Sequence, residues 1–80
     1  MRVQRKVKIA NIKAKPKLNP EVFRLAFHIK MGDITIDEIP PIKIEYVDDG
    51  LYLLKKGNLT YSAFKLLGIK DIKSKFYEAD

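Results

Sequence analysis

The alternation of apolar and polar residues predicts a strand at the start of the chain. Over residues 3–12 the apolar side chains fall mostly on one parity and basic side chains on the other, which is the period of a half-buried strand with a basic outer face. The alternation slips after Ala10, so we expect a bend there. Lys13 to Asn19 follows as a basic loop, because Pro16 lacks a backbone donor and restricts the residue before it.

The next apolar pattern predicts a helix from Pro20 to Met31. Asn19 is a suitable N-cap, proline is favoured at the first helical position, and Gly32 suits a left-handed C-cap. The expected core stripe follows the helical period and is widened by two phenylalanines: Val22, Leu25, Ala26 and Ile29, with Phe23 and Phe27. Arg24 and His28 lie one turn apart on its flank, where we favour an exposed surface over an anion-binding pair.

A connection and a hairpin are predicted after this helix. Residues 33–41 should carry Ile34, Ile36 and Ile39 inward, since two consecutive prolines at their end exclude a helix and a central strand. The alternation over 42–47 then indicates a strand. Asp48-Asp49-Gly50 is a hairpin signal, so residues 51–54 should return antiparallel.

The remaining chain predicts a short helix and a last strand. The helix should begin at Leu59 or Thr60 and end at Leu67 before Gly68, and its buried face should be formed by Ala63, Leu66 and Leu67. Residues 69–76 form the strand. The order strand, helix, hairpin, helix, strand predicts one α+β domain, a small mixed sheet with two helices, whose ends at 1–4 and 77–80 fray.

Composition excludes several classes of site. The 80 residues contain no cysteine and one histidine, which excludes disulfides, thiolate chemistry and a multi-histidine metal site within the chain. Apolar runs are too short to span a bilayer, so we expect a cytoplasmic protein with no membrane partner. The preference for Lys over Arg and the abundance of Ile are compatible with a thermophilic source.

The net charge of +6 is unevenly distributed. Residues 1–31 hold nine Lys/Arg against one acid, 32–49 hold one against six, and 50–80 hold six against three, giving +8, −5 and +3. Two basic segments around an acidic one favour a positive face, for which nucleic acid is the first partner to consider. A solvated lysine-rich surface is the alternative interpretation.

The turn after the hairpin is the candidate anion site. Gly57-Asn58 joins a strand to a helix whose first backbone N–H groups are unpaired, a common place for phosphate. The Thr60 hydroxyl, with Lys55 and Lys56 beside the turn, could assist. Alternatively this is only a structural turn, with Thr60 capping the helix and Leu59 packed inward.

Several segments resemble the ParB/sulfiredoxin superfamily over about residues 5–76. They are Ile39-Pro40-Pro41-Ile42, Asp49-Gly50-Leu51-Tyr52, Gly57-Asn58 and the run from Ala63 to Ile69 with its Leu-Gly-Ile ending. The resemblance implies a ParB/sulfiredoxin-like fold in which the glycine turn holds nucleotide phosphates or DNA. Here Leu59 and Thr60 occupy positions where members carry His or Arg and then Arg, so the bidentate phosphate contacts of arginine are missing.

These departures decide which function the resemblance favours. Sulfiredoxin chemistry needs a cysteine in the turn, and the nucleotide chemistry of ParB-like proteins depends on its arginine, so an enzyme is less expected than a binding module. We therefore expect a non-catalytic ParB-like module that binds nucleic acid, foremost DNA, through phosphate. The expected contacts, besides Lys55 and Lys56, are Arg2, Arg5, Lys6, Lys8, Lys13 and Lys15.

Two alternatives remain open. One is a nucleotide-binding enzyme or switch with phosphate at Gly57 to Thr60, in which case a nucleotide is the one cofactor to expect. The other is a degenerate domain for protein contacts, including a homodimer formed through the apolar edge of the small sheet. Glu45, Asp48 and Asp49 are interpreted as turn and surface residues rather than metal ligands. The tyrosines are interpreted as packing residues first and base-stacking residues second: Tyr46, Tyr52, Tyr61 and Tyr77.

Overall fold

Five strands form one mixed sheet in the protein, for which we describe residues 4–76 of a computed structural model. The strands are β1 (Gln4–Lys8), β2 (Ile12–Lys13), β3 (Ile42–Tyr46), β4 (Tyr52–Lys56) and β5 (Asp71–Phe76), and the helices are α1 (Pro20–Met31) and α2 (Asn58–Leu67). The predicted α+β class is therefore confirmed. Gln4, expected in the frayed end, begins β1; residues 1–3 and 77–80, with Arg2 and Tyr77, lie outside the described range.

The sheet is curled because of how its first two strands are joined. The strand order is β1-β5-β3-β4-β2, so β1 and β2 lie at opposite edges. A single 3-10 turn, Ile9–Asn11, connects them. Laid flat, the two edges would be about 19 Å apart, whereas the chain from Lys8 to Ile12 reaches at most about 14 Å. The bend expected after Ala10 therefore divides the predicted first strand into β1 and β2, which lie at opposite edges of the curled sheet.

Helix α2 lies between the curled sheet and α1. Its Tyr61 and Phe64 pack against the isoleucines of the inner sheet face, while Ala63 packs against Val22 and Ala26 of α1. Four consecutive residues, 61–64, are buried as a result. Leu66, predicted to face the core, is instead 46% exposed. A helix buried on two sides does not show a single apolar stripe.

Helix α1 has the bounds and both caps that its sequence predicts. Asn19 Oδ1 accepts a hydrogen bond of 3.0 Å from Val22 N, and Gly32 ends the helix with φ of 84°. The expected burial of Phe23 and Phe27 is wrong, since they are 49% and 57% exposed. Because α1 packs chiefly on the narrow α2, only Val22 and Ala26 are fully covered. No helix between residues 4 and 76 is long and apolar enough to cross a membrane.

The hairpin and the connection before it largely follow their predictions. Strands β3 and β4 pair antiparallel around the Asp48–Gly50 turn, where Leu51 N donates to Asp48 O over 2.9 Å. Ile39 is buried and Ile34 half-buried. Ile36 is 41% exposed, against expectation, because it lies in a short 3-10 turn on the surface.

Candidate nucleic-acid interface

The Gly57 turn has an open helix N-terminus. Gly57 is the N-cap of α2 with φ of 100°, and its carbonyl accepts the first helical hydrogen bond, from Tyr61 N at 2.9 Å. The expectation that Thr60 caps this helix is wrong, because no side chain does so and the helix begins earlier, at Asn58. Leu59 is 41% exposed rather than packed inward. The first N–H groups of α2 therefore lack a side-chain acceptor.

The Asn58 side chain holds the basic loop against this turn. Its Nδ2 donates to Lys15 O over 3.3 Å, and its Oδ1 accepts from Ser62 Oγ over 2.8 Å. Ser62 Oγ in turn accepts from Lys17 N over 2.8 Å. Asn58 was expected as an anion donor, but its amide serves protein contacts, and the consequence is that Lys15 lies beside the turn.

Removing that side chain should loosen the loop. We expect Asn58→Ala to destabilise the loop by about 1 kcal/mol, since it deletes one loop contact and leaves Ser62 without its acceptor. The Lys17 amide should then exchange about fivefold faster with solvent, measured by hydrogen exchange. Thr60→Ala, in the same helical turn, is the control and should leave Lys17 unchanged. Equal Lys17 exchange in wild type and Asn58→Ala would show that the loop is held by other contacts.

A bulge places Lys55 and Lys56 together on the outer side of the sheet. Ile44 pairs with Leu54, but Lys43 pairs with Lys56, so two residues of β4 lie opposite one of β3. Lys55 forms an ion pair with Glu45, with Nζ and Oε2 3.4 Å apart. Lys56 is exposed and lies opposite another lysine.

The outer side of the sheet carries a lysine face that the sequence alone did not assemble. Residues paired across strands point to the same side, and the register places Lys6 opposite Lys73, and Lys43 between Lys75 and Lys56. Two acids, Glu45 and Asp71, also lie on this side of the described sheet. We define the lysine face as Lys6, Lys8, Lys13, Lys43, Lys55, Lys56, Lys73 and Lys75.

The position of these lysines in the sheet argues against a merely protective role. Lysines often guard the edge strands of sheets against unwanted pairing. Lys43, Lys73 and Lys75, however, belong to β3 and β5, which have neighbours on both sides. Like charges directly opposite one another are also destabilising. The sheet therefore holds repelling cations in a place where an anion would relieve them.

The lysine face includes five of the predicted contacts and three lysines that prediction missed. Lys6, Lys8, Lys13, Lys55 and Lys56 were expected, whereas Lys43, Lys73 and Lys75 were not. The missed residues alternate with Ile and Ser in their strands. That alternation predicts that they point outward, but it does not predict that they are neighbours in the sheet. Arg5 has the other parity and points to the inner side, where it lies over the Phe76 ring, 5.1 Å from its centroid.

The structure also shows where His28, the acidic side chains and two of the tyrosines lie. His28 Nδ1 lies 3.0 Å from Asp33 Oδ2, so its partner is an acid and it does not join Arg24 in an anion-binding pair. Among residues 4–76, no group of three or more His, Cys, Asp or Glu is placed to hold a metal ion. Tyr61 is fully buried and cannot stack on a base, whereas Tyr46 is 56% exposed.

Comparisons with known proteins identify the fold. No protein-family model matches the sequence, and a comparison with curated proteins gives no match either. Among solved structures, SbnI with a C-terminal truncation from Staphylococcus aureus matches 94% of this chain at 20% identity with a TM-score of 0.74. A conserved hypothetical protein from Pyrococcus furiosus matches 94% at 16% identity and 0.76. Sulfiredoxin from Arabidopsis thaliana matches 96% at 21% identity and 0.70.

These similarities define an α+β domain with a curled mixed sheet and two helices. The chain has a ParB/sulfiredoxin-like fold, as the resemblance implied. It spans 86% of the sulfiredoxin chain but 30% of SbnI and 32% of the Pyrococcus protein. At this level of identity, the likeness concerns the fold.

Proposed function

We propose that this domain is a non-catalytic ParB-like module that binds nucleic acid, foremost DNA, through its phosphate backbone. The observation that carries the proposal is the lysine face, in which Lys75, Lys43 and Lys56 line up across three neighbouring strands. That row spans about 10 Å, two strand spacings, or about three nucleotide steps of duplex DNA. The proposal includes the cytoplasmic location expected from the sequence.

Lysine is suited to this kind of binding. Its ammonium group is a point charge on a flexible stem, which contacts phosphate without reading bases. The lysines of the face are exposed or half-buried. Lys55 Nζ is paired with Glu45 and Lys73 Nζ donates to Asp37 O over 3.2 Å, so the proposal depends chiefly on the other six lysines. Lys15, held beside the Gly57 turn by Asn58, could extend the contact to the helix N-terminus. Little sequence preference is expected.

Amide NMR tests the proposal against its alternatives. Adding a short DNA duplex to labelled protein should shift amide signals in β3 and β5, on either side of Lys43 and Lys75. Adding a nucleotide with magnesium tests the second candidate, phosphate binding at residues 57–60, which the uncapped start of α2 favours. Shifts with nucleotide alone would replace the DNA proposal with a nucleotide switch. No shifts with either ligand would favour protein contacts.

The salt dependence of binding gives a second measure. Each phosphate neutralised by a lysine contributes about −0.9 to the slope of log affinity against log salt concentration. Contacts by five to seven lysines of the face should give a slope of about −4.5 to −6.3 on duplex DNA, measured by fluorescence anisotropy. Affinity that is unchanged between low and moderate salt would contradict the electrostatic proposal.

A further inference from the structure

An aromatic cluster lies on the inner sheet face at the end of β3 and β5 and the start of β4, where Tyr52 packs against the edge of the isoleucine core. Tyr46 and Tyr52 are directly paired between β3 and β4, with ring centroids 6.0 Å apart in an edge-to-face arrangement. The Tyr52 ring also lies 6.2 Å from that of Phe76 on β5. β3 separates β4 from β5 in the sheet, so this last contact depends on the curl.

Arg5 completes the cluster from the neighbouring strand. It pairs with Ser74 in the β1–β5 register, and its guanidinium reaches diagonally over the Phe76 ring. This packing does not bury all the rings, since Tyr46 is 56% exposed and Phe76 is 37% exposed. Tyr46 and Phe76 thus present part of their rings to solvent, whereas Tyr52 is half-buried between them and the core.

A cavity of about 340 Å³ adjoins the Tyr52 ring of this cluster. Because the curl brings β1 toward the hairpin, the cavity is lined on one side by Arg5, Lys6 and Lys8 and on the other by Gly50 and Tyr52. Its size lies within the range of small-ligand pockets, about 300 to 1,000 Å³. Arg5 and Tyr52 belong to both the cavity and the cluster, so stacking surface and positive charge are contiguous.

We infer that this end of the sheet receives unpaired bases, so that the preferred ligand is single-stranded nucleic acid. The inference rests on the proposed function and specifies its ligand. Proteins that bind single-stranded nucleic acid commonly use exposed aromatic rings beside basic side chains. The rings stack on the bases, and the basic side chains contact the phosphate backbone. In a duplex the base faces are stacked on one another and are not available to Tyr46 or Phe76.

The test compares two oligonucleotides with the same number of phosphates. One is a short oligothymidine and the other is its abasic counterpart, which keeps the backbone and lacks the bases. Fluorescence anisotropy at low salt should show oligothymidine binding about tenfold more tightly, the effect expected of one or two stacked bases. Equal affinities for the two would overturn the inference and leave the proposed function standing. Binding of a DNA duplex but of neither oligonucleotide would overturn the inference alone, and no binding of any of the three would overturn both.

Substitutions of the aromatic residues test where the bases of oligothymidine bind. Phe76→Leu and Tyr46→Leu remove rings but keep apolar volume, and each should lower oligothymidine affinity toward the abasic value without changing abasic binding. Tyr46 is the safer of the two sites for folding, because its side chain is more exposed. Phe27→Leu is the matched control, since Phe27 is 57% exposed on α1, and it should change neither affinity. An oligothymidine preference that survives both cluster variants would place the bases elsewhere and contradict the inference.

Discussion

Replacing Lys6 and Lys43 together by glutamate should lower DNA affinity about a thousandfold, because each reversal removes a charged contact and adds repulsion from phosphate. The same variant should be more stable than the wild type. Lys43 lies between Lys75 and Lys56, and Lys6 lies opposite Lys73, so the reversals convert three repelling cross-strand pairs into attracting ones. At a few tenths of a kcal/mol per pair, the free energy of unfolding should rise by about 1 kcal/mol.

The opposite signs of these two effects make the experiment decisive. Anisotropy measures affinity, and urea denaturation measures stability. The double variant Arg24→Glu/Lys30→Glu is the control: each reversal changes the charge by −2, so both double variants lower the net charge from +6 to +2. The control changes lie on α1, in the layer farthest from the sheet, and should weaken binding far less. Equal losses in the two variants would show that net charge, not the lysine face, determines binding.

Gly57→Ala should lower the free energy of unfolding by about 3 kcal/mol, combining a strained left-handed backbone with a steric clash. An added Cβ would lie 2.6 Å from Ile42 Cγ2 and 3.2 Å from Ile42 Cα. Ile42 is 1% exposed in the core and has no room to move away. For a domain of this size the melting temperature should fall by about 15 °C.

Gly68→Ala separates the two contributions. Gly68 has φ of 75°, also left-handed, but no atom lies within 4 Å of an added Cβ. Only the backbone strain applies, so a loss of about 1 kcal/mol is expected. Urea denaturation of both variants measures the difference. If Gly57→Ala is no worse than Gly68→Ala, the turn relaxes away from Ile42, and its geometry is less fixed than described.

The elements that sequence predicted well depend on local rules. Asn19 with Pro20 defines a helix start, Gly32 and Gly68 define two helix ends, and Asp48–Gly50 defines a hairpin, each through its own backbone preferences. Alternation predicted strands over 42–47 and 69–76, and the structure has them over 42–46 and 71–76 with the expected outer residues. These features are determined within a few residues of the chain, and they were found.

The features that sequence missed depend on distant partners. Phe23 and Phe27 follow the helical period of the core stripe. They are exposed because α2 covers only the part of α1 around Val22 and Ala26. The hydrogen bond between Asn58 and Lys15 joins residues 43 positions apart. Lys43 and Lys75 become neighbours only through strand order and register. The basic segments of the sequence therefore did not reveal which lysines become neighbours, because a charged face belongs to the sheet and not to any one segment.

The curled sheet also makes strand pairing between copies of this protein unfavourable. Its two edge strands are poor templates for pairing with another chain: β2 has two residues, and three of the five residues of β1 are basic. Growth of the sheet from one molecule into the next, the usual beginning of fibrous aggregation, is therefore disfavoured at both ends.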